Sequence, residues 1–220
     1  LHRINADDEI FGCGGFIAKA IHFGADVLVL YMNVGNVSFR IDDRKETTYG
    51  YARLDEVRKV SEYLNFRYDI MSRRPEEEFA VDVVSRRELV NWISERIACF
   101  MPELILIPTP GYHQDHQACY EAGMTACRPP SSPAQFLVKN VWVYNSHMVT
   151  WNIDVPFSPN MFVDITEVIK EKITALGMYE SQVKDFGFLS TEHTAESGKM
   201  LGREFFMDFV EGFELRRGML

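Results

Sequence analysis

Short apolar segments rich in β-branched residues alternate with helix-length amphipathic stretches, and this alternation constrains the fold more than any other feature of the chain. The run 25–32, ADVLVLYM, is nearly continuously apolar, as expected of a strand covered on both faces. Segments 103–108, ELILIP, and 141–145, VWVYN, read the same way, and 66–71, FRYDIM, does so more weakly. Between them apolar residues recur at helical spacing: Phe16, Ile17, Ala20 and Ile21 before Gly24, then Leu54, Val57, Val60 and Leu64 before Asn65. Ser85 and Glu88 form a capping box ahead of Leu89, Trp92, Ile93 and Ile97. Asp164 and Glu167 have the same spacing ahead of Val168, Ile169, Ile173 and Leu176. The pattern predicts an α/β chain with a mainly parallel sheet covered on both faces, read as one domain over 1–220. Segment 34–50 predicts a long polar connection, and 128–136 a surface loop.

The composition, 46% hydrophobic and 25% charged, suits a globular protein with a substantial core. A formal charge of −9 argues against nucleic-acid binding by phosphate neutralisation. No apolar run approaches the roughly 18–20 residues that span a bilayer, and no signal-peptide pattern opens the sequence. The net charge does not bear against a small-molecule substrate, because local charge at a site can oppose it. Cys13, Cys99, Cys119 and Cys127 lack close CxxC spacing, which predicts reduced core thiols in a cytoplasmic protein. Oligomerisation stays open.

In such sheets ligands bind beyond the carboxyl ends of the strands. The turn at 5–15, the polar loop after Met32 and PTPGYHQDHQ after strand 103–108 share that rim. HQDH is the strongest local signal. His113 and His116 are three apart, so at a helix start both imidazoles can look to one side. Asp115 between them could orient an imidazole through its second nitrogen. Asp7, Asp8 and Glu9 admit either a solvated acidic run at a helix start or a site. Gly12, Gly14 and Gly15 resemble a phosphate loop, but Asp7 and Asp8 would repel phosphate and the GxGxxG spacing is absent. Close packing of the turn against the sheet accounts for them better. Carboxylate and imidazole donors together suit a divalent ion that acidifies water. A spare carboxylate can then act as general base, and a spare histidine can stabilise an oxyanion. Asp7, Asp8, His113 and His116 supply those roles.

NADDEIFGCGGFIAK resembles the HPDDE…GCGG signature of the LmbE-like (PIG-L, GlcNAc-PI de-N-acetylase) family, and HQDH resembles its second motif. YARLDEVRKVSEYLN is similar to the family's R-x-x-E helix, and FVDITEVIKEKITALGMYESQ to its VDI…K…L…Y-x-SQ segment. GREFFMDFVEGFEL fits its last helix, so the resemblance runs the length of the chain. It implies a Rossmann-like three-layer sandwich and zinc-dependent removal of an N-acyl group, usually acetyl, from an amino sugar. Carried over, Asp8 and His116 are metal ligands and Asp7 is the general base. His113 stabilises the tetrahedral intermediate or protonates the leaving amine, Asp115 orients a histidine, and Arg53 touches substrate or is merely an exposed helix-start arginine. The departure is Asn5, which stands where the family has its third ligand, a histidine. An amide oxygen is harder than imidazole nitrogen and favours Mn²⁺, Mg²⁺ or Ca²⁺ over Zn²⁺. The readings left are an active enzyme with an altered metal site, a homologue that binds a sugar without turnover, and an altered N-terminus. A phosphoesterase is less well supported, because the donors suit one ion rather than two. Trp142, Tyr144 and Trp151 are candidates for a pocket lining, with a core role favoured for the first two.

Overall fold

A computed structural model of the chain describes residues 2–3, 6–41, 44–72, 74–132, 134–145, 156–183 and 189–219. In chain order the elements are β1 (His2–Arg3), α1 (Asp8–His22), β2 (Leu28–Tyr31), β3 (Val37–Ile41), β4 (Arg44–Thr48), α2 (Gly50–Leu64) and β5 (Arg67–Ile70). A short 3₁₀ turn, Val81–Val83, precedes α3 (Arg86–Phe100), β6 (Leu104–Pro108), α4 (Gln114–Ala126) and β7 (Asn140–Tyr144). A second 3₁₀ turn, Thr166–Val168, separates β8 (Met161–Asp164) from α5 (Ile169–Gly177), and α6 (Thr191–Arg203) and β9 (Val210–Arg217) follow.

The strands read from apolar runs all form: those at 25–32, 66–71 and 103–108 are shortened, and that at 141–145 is shifted by one residue to Asn140–Tyr144. β1, β2 and β5 make a parallel sheet, with His2 opposite Leu30 and Leu28 opposite Arg67. β6 and β7 are also parallel, but β9 lies antiparallel between β7 and β8. The described strands therefore form small and mixed sheets, not the single mainly parallel sheet expected. Two further expectations change. Segment 34–50 carries the β3–β4 hairpin, in which Val37 faces Thr48. The closing stretch read as a helix ends α6 at Arg203 and then forms β9. Its period is two: Glu211 binds backbone amides of α1 while Phe213 packs on Phe16 of the same helix. A helix would turn residues two apart away from each other.

Helices cover both faces of β6 and β7. Leu106, Trp142 and Tyr144 pack in a cluster with Ile10, Ile17, Val57, Leu176 and Phe213. Ile105, Ile107, Val141 and Val143 pack in a second cluster with Leu89, Ile93 and Cys119. Alternate residues of each strand thus serve opposite clusters, the signature of a strand buried on both faces. Caps close the helices as anticipated at several ends. Ser85 Oγ accepts from the Glu88 amide at the start of α3, and Asn65 ends α2 with φ 62°. At 164–168 the Asp164 carboxylate instead accepts from the Thr166 amide, a tight turn that leads into the 3₁₀ segment.

Helix α1 is kinked. Cys13 leaves helical geometry at φ −148°, ψ 22°, which frees amides beyond it and carbonyls before it. Glu211 takes up the freed amides: Oε1 accepts from Gly15 at 2.8 Å and Oε2 from Phe16 at 2.7 Å. Lys172 donates to the Phe11 carbonyl at 2.9 Å and to Glu211 at 2.6 Å, a pair buried from solvent. Gly12 is the close-approach point of the kink. A Cβ there would stand 2.3 Å from Tyr144 Cδ2 and 2.5 Å from the Asn145 carbonyl. Tight packing, as read from the sequence, is why glycine sits in this turn.

Candidate functional site

The carboxyl ends of β1 and β2, the start of α1, the start of α2 and the start of α4 converge. Asp7, Asp8 and Glu9 are 4%, 1% and 0% exposed, which disposes of the solvated acidic run. Buried carboxylates in succession need partners, and each of the three has a different setting.

Glu9 is held by hydroxyls. Its Oε1 accepts from Tyr31 at 2.7 Å and from Tyr179 at 2.5 Å, and the two tyrosine oxygens stand 3.1 Å apart. Its Oε2 accepts from the backbone amide of Asp7 at 3.3 Å. Glu9 therefore supports the turn at the helix start. Asp7 occupies the N-cap of α1, yet its side chain makes no capping bond. Its φ of 142° lies in a region that L-residues rarely adopt, at a typical cost of about 1–3 kcal/mol. Asp8 Oδ2 lies 3.8 Å from Nε2 of His116, which is also buried.

HQDH opens α4. His113 is the N-cap and is exposed, and its Nδ1 accepts from the Asp115 amide at 3.2 Å. That bond leaves the proton of a neutral His113 ring on Nε2. The His113 and His116 rings stand 5.3 Å apart, so both imidazoles do serve one neighbourhood. Asp115 is buried, and its Oδ1 accepts from the amides of Val81 and Asp82 at 3.0 and 3.1 Å. Burial pushes the Asp115 carboxyl up, opposed by the bond from Asp82 and by nearby His113. The bond described between Asp115 and His113 runs through the residue's amide, while its carboxylate holds the 3₁₀ turn.

Arg53 is fully buried, so the exposed helix-start alternative falls. Nη1 donates to the Gly35 carbonyl at 2.7 Å, which ties α2 to the loop after Met32. Burial pulls the guanidinium below its ordinary range, against the opposing fields of Asp7, Glu56 and Asp8. Arg53 is thus the buried cation beside the two aspartates. Glu56, one turn further along α2, accepts from the Ser181 amide and hydroxyl, both at 2.7 Å. Arg53 and Glu56 of R-x-x-E and Tyr179 and Ser181 of Y-x-SQ now have physical tasks. Tyr179 and Ser181 anchor Glu9 and Glu56, and the roles of Lys172 and Glu211 at the α1 kink were likewise invisible in local sequence. The presence of those segments in the family resemblance was the one signal that could have found them.

The donors fit a divalent ion in part. Asp8 Oδ2 and His116 Nε2 are too far apart for a hydrogen bond. Donors about 2.0–2.2 Å from a shared ion stand up to about 4.2 Å apart, which includes the observed separation. Among the described residues no group of three His, Cys, Asp or Glu side chains closes around such an ion. Asn5, the expected third position, lies outside the described residues, as does Trp151. Trp142 and Tyr144 are core residues: Trp142 packs at a tilt on Phe16 with ring centroids 5.5 Å apart, and Tyr144 is fully buried. The cysteines are all free thiols. Cys13, Cys119 and Cys127 are buried as expected, but Cys99 is exposed. Burial pushes Cys119 well above the ordinary thiol range, with Asp115 and Asp8 adding to it, and Cys127 up to about 11. No described helix is long and apolar enough to cross a membrane.

A mixed α/β fold with buried aspartates facing a histidine at the strand ends defines the class: an α/β protein with a carboxylate–imidazole centre. The chain belongs to the PIG-L family, described as GlcNAc-PI de-N-acetylase, whose profile matches residues 6–127, more than half of its length. It is 25% identical over 183 residues to a diacetylchitobiose deacetylase of Thermococcus kodakarensis, a match covering 80% of this chain and 66% of that one. The fold is similar to that of the N,N'-diacetylchitobiose deacetylase of Pyrococcus horikoshii, at a TM-score of 0.75 and 19% identity over 98% of this chain and 82% of that one. It is also similar to GalB, the 4-carboxy-2-hydroxymuconate hydratase of Pseudomonas putida, at a TM-score of 0.70 and 18% identity over 99% and 95%. One fold carries two differently named reactions here, so the fold alone does not choose the chemistry.

Proposed function

We propose that this chain is a metal-dependent amide hydrolase that removes an N-acetyl group from an amino sugar or its conjugate. The observation that carries the reading is the approach of Asp8 to His116 at 3.8 Å, with Asp7 adjacent and the Arg53 guanidinium buried beside them. Family membership and the diacetylchitobiose deacetylase relative support the reaction and substrate class. Nucleic acid is not a partner on this reading, and the substrate is a small molecule.

Asp8 and His116 would hold the ion, with residue 5 as the third position. Zn²⁺ is the ion the family resemblance implies, and Mn²⁺ or Mg²⁺ better suit the amide oxygen of Asn5. A bound divalent ion supplies Lewis acidity and makes water easier to deprotonate at neutral pH. Asp7 accepts the proton of the attacking water as general base. His113 donates a hydrogen bond from Nε2 to the oxygen that gains charge, and the proton taken up by Asp7 passes to the leaving amine as the C–N bond breaks. Asp115 fixes the His113 ring through its amide bond to Nδ1. Arg53 holds the charge of the aspartates and ties the loop after Met32 to the site through the Gly35 carbonyl.

Asn5 favours one second reading, a homologue that binds a sugar without turnover. Amine release from N,N'-diacetylchitobiose by the metal-supplemented protein separates the two. On the leading reading Asp7→Asn and His113→Ala each lower kcat at least about 100-fold, in the range general acid–base groups contribute. Activity that survives both substitutions discards the mechanism. A silent wild type that binds the disaccharide in calorimetry, and gains turnover in Asn5→His, supports the second reading.

A further inference from the structure

Glu9 is fully buried, carries an ionisable carboxyl and has no part in the chemistry proposed above. Its surroundings are unusual for a helix-start acid. Such acids commonly accept from amides of their own first turn, whereas Glu9 Oε1 is occupied by two tyrosine hydroxyls from distant parts of the chain. Tyr31 closes β2 and Tyr179 follows α5, so the carboxylate is clamped by the sheet on one side and a helix end on the other. With Oε1 fixed, Oε2 is turned back along the chain to the amide of Asp7. The contact resembles the reach-back half of a capping box, made by the second helical residue rather than the third. The residue whose amide is held is the one with φ 142°, ψ −36°.

We propose that Glu9 is a positioning residue: clamped by Tyr31 and Tyr179, it holds the backbone of Asp7 in its positive-φ conformation and so aims the Asp7 carboxylate into the site. A conformation that rare persists only where its surroundings over-determine it; the Ile10 and Phe11 amides hold the Asp7 carbonyl, and the Glu9 carboxylate holds its amide. The acid is needed because the carboxylate must accept on both oxygens. A glutamine that keeps its oxygen on the Asp7 amide must turn its amino group to the tyrosines, whose hydroxyls then have to accept instead of donate, so the observed clamp with both hydroxyls donating is lost. The inference rests on the proposed function only in naming what Asp7 is aimed for.

Glu9→Gln and the double variant Tyr31→Phe/Tyr179→Phe test it, with Ile97→Ala in α3, a residue of the other core cluster, as a control. Hydrogen exchange at the Asp7 amide, followed by NMR, reads the restraint without any substrate. The expected result is at least tenfold faster exchange at Asp7 in both clamp variants, with β6 amides and the control at wild-type rates. In the assay, kcat falls at least tenfold in both clamp variants while KM stays within about twofold. Unchanged exchange at Asp7 in both variants overturns the proposal, as does an equal loss of kcat in Ile97→Ala. If wild type releases no amine, the proposed function fails, and the exchange measurement still decides the role of Glu9. Should Glu9→Gln fail to fold, the tyrosine double variant carries the same test, because it leaves the charge and the acceptor atoms in place.

Discussion

Asp7, Asp8 and Glu9 are consecutive, equally charged and equally buried, yet each meets a different environment within one helical turn. Asp8 faces His116, Glu9 faces tyrosines, and Asp7 precedes both on a backbone of positive φ. Gly12, one turn on, shows how closely this turn is fitted. Gly12→Ala would drive a methyl into Tyr144 and the Asn145 carbonyl, and overpacking of this kind costs about 1–3 kcal/mol. A lowered urea midpoint with an unchanged m-value is the expected result. Asp164 allows a prediction in pH. Hydrogen bonds from the Thr166 side chain and backbone hold its carboxyl below the ordinary value of 3.8. A folded-state value below the unfolded one adds stability above pH 3.8, and that stability is lost as pH falls through the folded value. Urea melts of wild type and Asp164→Asn should therefore differ at pH 6 and converge below pH 3.8.

At the scale of elements, α1 works because it is broken. The kink at Cys13 needs partners for its freed amides and carbonyls, and Lys172 and Glu211 supply them from α5 and β9. Lys172→Met leaves the Glu211 charge buried without its cation. Losing one partner of a buried pair costs about 3–5 kcal/mol, so a fall of that order in unfolding free energy is expected by urea titration. The turn after α5 makes a second connection, with Tyr179 on Glu9 of α1 and Ser181 on Glu56 of α2. Local patterning was enough to find α1, α2, α3 and the strands β2, β5, β6 and β7, because each carries its own period. It missed β8, β9 and the β3–β4 hairpin. In β9 the inward position Glu211 is polar, so the apolar alternation that marks a half-buried strand is interrupted where the strand serves α1.

For the whole molecule, divalent ion and stability should be linked. An ion that binds only the folded state adds RT ln(1 + [L]/Kd), about 2.7 kcal/mol at a hundredfold excess over Kd. Zn²⁺ or Mn²⁺ is expected to raise the melting temperature, chelator to reverse it, and Asp8→Ala to abolish the response. A wild type whose melting temperature ignores every divalent ion tried would discard a metal at this site. The sequence by itself determined the α/β class, the rim on which chemistry would sit, and the candidate pair of Asp8 and His116, because residue type, spacing and family motifs are local. Tertiary structure alone decided that Arg53 is a buried cation rather than a surface one, that Glu9 is caged by Tyr31 and Tyr179, and that β9 runs antiparallel to β7 with Glu211 on the kink of α1. The physical reason is common to all three: a buried charge or a broken helix is tolerated only where distant segments bring the compensating donor or acceptor, and sequence spacing does not encode which distant segment that is.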